Sequence, residues 1–285
     1  MGKRARGEME LVFVGAGMLA TQLAQALHEK GHHILAVYSR TMASAQALAV
    51  QVGAIATDDI ATLPYPTADA IIMAVKDDAL PSLATQLAAV GDASGRCNLS
   101  CPVFHTAGSV PADTLGTLAH YGVIYPMQTF SKERRADFAR IPVFIEASDD
   151  ETLAVARDIA TSVSSQVTML NSERRRQLHL AAVFACNFVN HCYALSADIL
   201  ERSGLDFSVM LPLVEETAAK VATMQPREAQ TGPAVRYDQT VIARQSEMLA
   251  AQPLTRQIYE LMSNSIHQHA VSNASTAQLP NPSTT

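Results

Sequence analysis

Gly15-Ala16-Gly17, with Ala20 three positions on, is a run of small residues whose spacing suits the handling of a diphosphate. Gly15 permits a tight turn, and Gly17 lets the backbone come close to an anion. Ala20 keeps the following helix near the preceding strand. Unpaired N–H groups at the start of that helix, around Met18 and Leu19, would face the same anion. Farther on, Ser39-Arg40-Thr41 offers two hydroxyls and a guanidinium, and no carboxylate occurs between Glu29 and Asp58. An acidic residue about 20 positions past the glycines would accept from a ribose 2′-hydroxyl. The guanidinium and hydroxyls suit a 2′-phosphate instead, through charge-assisted hydrogen bonds. The alternative is a solvated Arg40 at a strand end. The pattern points to NADP (NADPH) as cofactor.

A second set of polar residues interrupts the apolar segment from Arg174 to Ser196. At about 100° per residue, Arg175, His179, Cys186 and Asn190 share one narrow face, flanked by Asn187. If that helix is buried, each polar group needs a partner, since an unpaired one costs about 1–3 kcal/mol. Either the stripe links two domains structurally, or His179, Asn187 and Asn190 line a cleft facing the nicotinamide. An imidazole there could donate a proton near neutral pH. Glu216 and Lys220 stand at i, i+4, suited to an exposed ion pair, with Lys220 also a candidate substrate contact. In Gln230-Thr231-Gly232-Pro233-Ala234-Val235-Arg236-Tyr237-Asp238, a Gly-Pro turn enters a helix with Arg236 in its first turn. A cation opposes the helix dipole there, so an anionic partner is expected: Asp238, another carboxylate or a substrate carboxylate.

Elements that must position these residues alternate between strand and helix patterns through residue 170. Apolar strand patterns cover 11–14, 33–38, 54–56, 69–75, 101–105, 122–125, 142–146 and 166–170, with helices between several of them. This is α/β: a Rossmann-type, mostly parallel sheet with helices on both faces. In such sheets ligands sit beyond the carboxyl ends of the strands. That rule selects Val75 and Lys76, His105, and Gln128 and Thr129. Val75, Lys76 and His105 would lie near the nicotinamide ribose, and Gln128 and Thr129 would contact substrate. From Ser172 strands give way to helices near 172–202, 206–224, 234–250 and 253–271, an all-helical C-terminal domain. The expected domains are 9–170 for NADP binding and 171–271 for substrate and dimerisation. A disordered tail is expected over 272–285, and a frayed arm before Met9.

The 285 residues are 48% hydrophobic, ample for two cores. A net charge of −6, with no basic cluster longer than Arg174-Arg175-Arg176, leaves no footprint for nucleic acid. Apolar runs are short and broken, so no membrane-spanning helix is expected. Cys97, Cys101, Cys186 and Cys192 lack zinc-ligand spacing; no metal is expected. They read as reduced thiols of a cytoplasmic protein.

VFVGAGMLA, VYSRT, AVKDDAL, HTAGSVP, YPMQTFSK, LHLAAVFACNFVNH, PLVEETAAKV and QTGPAVRYD, in this order over about residues 9 to 270, resemble one bacterial family. Its members are Rossmann-like proteins with a C-terminal domain of unknown function, number 2520. The architecture is more distantly similar to pyrroline-5-carboxylate reductase, ketopantoate reductase and the β-hydroxyacid dehydrogenases. The resemblance implies an NADP-type nucleotide domain followed by a helical domain that contacts substrate and forms a homodimer. It also implies that the segment around Arg236 serves a shared site. Met18 departs from the asparagine commoner after the second glycine. In β-hydroxyacid dehydrogenases a helix in this position carries a lysine with an asparagine one turn later. Here no lysine stands on that face, and His179 is the nearest substitute as proton donor. The combined expectation is an NADP(H)-dependent oxidoreductase reducing a small C=O or C=N substrate in the cleft between the domains. The alternative is a non-catalytic NADP-binding sensor or partner-docking protein.

Overall fold

A computed structural model describes residues 7–90, 99–131 and 134–277. Residues 1–6, Cys97 and residues 278–285 lie outside them. The first apolar run forms β1 (Glu10–Val14), central in an eight-stranded sheet of order β3-β2-β1-β4-β5-β6-β7-β8. The other strands are β2 (His33–Tyr38), β3 (Ile55–Thr57), β4 (Ala70–Met73), β5 (Val103–His105), β6 (Tyr121–Pro126), β7 (Val143–Ala147) and β8 (Val167–Met169). All neighbours pair parallel except β6 and β7, which are antiparallel. Among the described residues, a loop with one short 3₁₀ turn joins that pair, whereas a parallel return needs a long crossover, usually a helix.

Side chains alternate across a strand, so β1 feeds two cores. Leu11 and Phe13 pack with Leu23 and Leu27 of α1 (Met18–Glu29), Leu48 of α2 (Met42–Val52) and Ile159. Val12 and Val14 face the other way, with Leu83 and Leu87 of α3 (Leu80–Ala88). Ile159 belongs to α4 (Asp150–Val163), whose cap Asp149 accepts from the Thr152 N–H at 2.8 Å. The chain runs outward from β1 to β3, then crosses to β4 on the other side. Between β1 and β4 the sheet therefore has its topological switch point, where such folds bind ligands.

The remaining helices are α5 (Ser172–Ala182), α6 (Val189–Glu201), α7 (Leu211–Thr223), α8 (Pro226–Ala229), α9 (Pro233–Arg236), α10 (Gln239–Met248) and α11 (Pro253–Ala277). The chain divides into two compact units, Met1–Asn187 and Phe188–Thr285. The division falls later than the expected boundary after residue 170, because α5 is fastened to the sheet. Arg175, 0% exposed, bonds Glu146 of β7 and donates to the Val110 carbonyl at 2.6 Å and to Ser172 Oγ at 3.2 Å. The Ser172 N–H and hydroxyl donate to the same carboxylate at 2.9 and 2.8 Å, and the Ala112 N–H donates to Ser172 Oγ at 2.9 Å.

Two expectations need correction. Helix α11 continues to Ala277, so the first part of the expected disordered tail is helical. Ser172–Glu201 is a helical stretch of 30 residues, long and apolar enough to cross a membrane by length and composition alone. Its separate apolar runs are short, but the helix joins them across Asn187, Asn190 and His191. Its first turn, however, is bonded through Arg175 to a protein sheet.

Removing one partner of a buried ion pair strands the other charge and costs about 3–5 kcal/mol. Arg175→Ala should lower stability in urea by about that much, and Arg175→Met with Glu146→Leu should recover most of it. A loss under about 1 kcal/mol in Arg175→Ala would show that the pair does not hold α5.

Candidate functional site

At the switch point Gly15 leaves no room for any other residue. Gly15 has φ +117°, and a Cβ there would sit 2.3 Å from the Ala74 carbonyl oxygen. Only glycine allows this approach of β1 to the end of β4, sealed by bonds from Gly15 N–H to Tyr38 O (2.8 Å) and Ala74 N–H to Val14 O (2.9 Å). Gly17 is the opposite case. It caps α1 in extended backbone with no side-chain cap, and a Cβ on it would meet nothing within 4 Å. The space beside it is free for a ligand, and the first N–H groups of α1 open onto it.

A cavity of about 680 Å³ occupies this place. Gly15, Ala16, Gly17, Met18, Leu19, Ser39, Arg40, Val75 and Lys76, residues the sequence assigned to a nucleotide, all line it. The residues fit a dinucleotide: helix N–H groups at one wall, and a guanidinium with a hydroxyl beyond β2. Thr41 is not in the wall. It caps α2 and donates from Oγ1 to Ser44 Oγ at 2.8 Å, and Ser44 lines the cavity in its stead. Three positions past Thr41, in the first turn of α2, Ser44 could have been found by the logic that placed Met18 and Leu19.

Tyr38, Asp78, Thr106 and Phe130 also line the cavity without having been singled out. Phe130 precedes a segment held by buried Gln22, whose Nε2 donates to the Ser131 and Arg134 carbonyls at 2.6 and 3.0 Å. Its Oε1 accepts from the Ala136 N–H at 2.7 Å. No local pattern announces this, because the partners are over a hundred positions away. Asp77 and Ser109 are hydrogen-bonded, tying the loop after β4 to the loop after β5.

His105 is not available to a nucleotide. Its side chain is fully buried; Nδ1 accepts from the Ala107 N–H at 3.1 Å, and Nε2 lies 3.2 Å from the Pro111 carbonyl. The pairing makes Nε2 the protonated atom. The ring staples its own loop. Burial, helped by nearby Arg175, pushes its pKa down to about 4.

The polar stripe also needs revision. Among the described residues of the helix that carries it, Arg175 is fully buried, whereas Asn187 and Asn190 are exposed and impose no need for partners. A π-helical turn at Val183–Phe188 adds residues to the turn, so Cys186 and Asn190 leave the face shared by Arg175 and His179. His179 stays beside the sheet, its Nδ1 3.1 Å from the Tyr125 hydroxyl. It does not line the cavity. Gln128 and Thr129 lie exposed beyond β6, joined by a 2.8 Å bond from the Thr129 N–H to Gln128 Oε1.

In the helical unit Lys220 pairs with Glu216 at 3.6 Å on an exposed face. Arg236 falls in the four-residue α9, followed by Tyr237 with φ 53°. It therefore does not oppose the dipole of a long helix. Asp238 is taken as the cap of α10, accepting from the Val241 N–H at 3.2 Å.

Residues 10–101 match the family described as NADP oxidoreductase coenzyme F420-dependent, and residues 141–266 match a domain of unknown function, DUF2520. A crystal structure of a candidate NADP oxidoreductase from Bacteroides fragilis is 47% identical. It covers 93% of this chain and 100% of its own, with TM-score 0.84. A Thermotoga maritima protein has 23% identity, coverage of 91% and 99%, and TM-score 0.72. A 1-pyrroline-5-carboxylate reductase from Streptococcus pyogenes shares the fold at 12% identity, 92% and 99% coverage and TM-score 0.59. No curated protein matches the sequence.

The His105 staple has a pH signature. Between about pH 6.5 and 4 the unfolded chain protonates this ring while the folded chain keeps it neutral. Its contribution is fully present above about 6.5 and is lost as pH falls, at up to ~1.4 kcal/mol per pH unit. Urea unfolding of the wild type and His105→Gln across this window should show a shallower acid slope in the variant. Identical slopes would refute the assignment.

Proposed function

The chain belongs to the family of Rossmann-like proteins that carry DUF2520 at their C-terminal end, and from that premise we propose an NADP(H)-dependent oxidoreductase that reduces a small C=O or C=N substrate. The observation that carries this is the cavity at the switch point, walled by the α1 N-terminus on one side and by Ser39, Arg40 and Ser44 on another. Arg40 and these hydroxyls would hold a 2′-phosphate, and Gly15 to Leu19 the pyrophosphate. Val75 and Lys76, at the end of β4, would lie toward the nicotinamide ribose. The bound nucleotide supplies the hydride. The chain's residues orient it, and His179 gives the proton that completes reduction at oxygen or nitrogen. Gln128, Thr129, Asn187, Asn190, Lys220 and Arg236 are the polar residues left to meet substrate.

That His179 does not line the cavity favours a second reading, a non-catalytic NADP-binding sensor or docking protein. Oxidation of NADPH in a screen of keto acids and imines separates the two.

We assign the protein to the cytoplasm, in keeping with its free Cys101, Cys186 and Cys192. Its partner is a second copy of itself rather than nucleic acid or membrane. The helical unit buries few apolar residues, chiefly Leu200, Ala234 and Leu249, while Leu213, Met248, Leu254 and Leu261 are exposed.

In titrations NADPH should bind at least about tenfold tighter than NADH, a difference of ~1.4 kcal/mol, and Arg40→Ala should erase most of that gap. Superimposable curves for the two nucleotides on the wild type would end the NADP assignment. Sedimentation at micromolar concentration should show a dimer that Leu254→Glu with Leu261→Glu weakens. A wild-type monomer under those conditions would remove the dimer from the proposal.

A further inference from the structure

Tyr125, at the carboxyl end of β6, meets His179 of α5 edge-on, with ring centroids 6.1 Å apart and the phenol oxygen 3.1 Å from Nδ1. Gly108 lies against both. A Cβ there would come within 2.5 Å of His179 Nδ1 and 2.8 Å of the Tyr125 ring, so any side chain at 108 would displace the pair.

The sheet register explains why these residues coincide. Glu146, which holds Arg175, stands opposite Val123 on β6. From Val123 to Tyr125 the strand advances about 6.6 Å. From Arg175 to His179 the helix advances about 6 Å. Anchoring Arg175 thus delivers the imidazole to the phenol one turn later. It also delivers it to the edge used by the cavity, because β4, β5 and β6 are parallel neighbours and their carboxyl ends lie together.

Burial pushes the Tyr125 phenol up, which keeps it protonated. Among the described residues its hydroxyl has one hydrogen-bond partner, His179 Nδ1. With the phenol as donor to Nδ1, the neutral ring's own proton resides on Nε2. Nε2 has no protein partner among the described residues and is not sealed from solvent. When the ring is charged the hydroxyl accepts from Nδ1–H, and it is this charged ring that can give a proton from Nε2, leaving the remaining ring proton on Nδ1.

We propose that Tyr125, with Gly108 against both rings, is a positioning residue that engages His179 through Nδ1 and leaves Nε2 as the working donor atom. This rests on the proposed function only in taking His179 as the proton donor.

Long-range proton–nitrogen NMR of the imidazoles tests it without a substrate. The chain has nine histidines, so the His179 signals are assigned by their loss in His179→Gln. At alkaline pH wild-type His179 should give the Nε2–H pattern, and Tyr125→Phe a mixture of tautomers. With an NADPH-oxidising substrate, Tyr125→Phe should lower kcat about tenfold with nucleotide Kd unchanged. Should Tyr125→Phe fail to fold, Gly108→Ala gives the same two readings, and the wild-type spectrum alone remains decisive. An Nδ1–H or averaged wild-type spectrum, or a variant with unaltered tautomer and kcat, overturns the proposal. A fixed Nε2–H tautomer in a protein that reduces no carbonyl or imine leaves the positioning intact and refutes the reductase.

Discussion

The charge of Arg175 is the constraint on which the arrangement around the site depends. A guanidinium fully removed from water needs a counter-charge and acceptors; those of its two terminal nitrogens come from β7, the loop before Ala112 and its own helix, while Nε has no partner among the described residues. Helix α5 therefore has one acceptable position along the sheet. Ser172 repeats the fastening one turn earlier, spending its N–H and its hydroxyl on the same carboxylate. Everything said of His179 follows from this anchor.

A second constraint is steric. β1 and the end of β4 approach until a Cβ on Gly15 would overlap the Ala74 carbonyl, while the space beside Gly17 stays open. Two glycines in one motif thus do different work: one permits protein to meet protein, the other leaves open space at the start of α1. The cavity beside them is lined by the start of α1 and by a guanidinium, groups whose chemistry suits anions.

Local pattern made much of this legible. Alternation of apolar runs and helical periods gave the sheet, and the glycine spacing with the acid-free end of β2 gave the two walls of the cavity formed by Gly15 to Leu19 and by Ser39 and Arg40. The misses share a cause. His105 sat at the expected strand end, yet its own loop folded back and took both nitrogens. The single face shared by Arg175, His179, Cys186 and Asn190 was read on an ideal α-helical wheel, which a π-helical turn does not obey. Gln22 and Tyr125 gave little local sign, because what they do depends on residues brought to them by the fold.

By itself the sequence determined the class of sheet, the place of the switch point and the residues available to hold a dinucleotide, since each depends on periodicity or on neighbours a few positions apart. Only the tertiary structure decided which polar residues are spent on the protein. Burial of Arg175 and His105 and the pairing of His179 with Tyr125 are contacts across 29 to 65 positions for the first and 54 for the last, although His105 finds its partners nearby once its strand is covered. A hydrogen-bonding group buried by the fold must take what the fold places beside it, and no spacing within the chain records that choice.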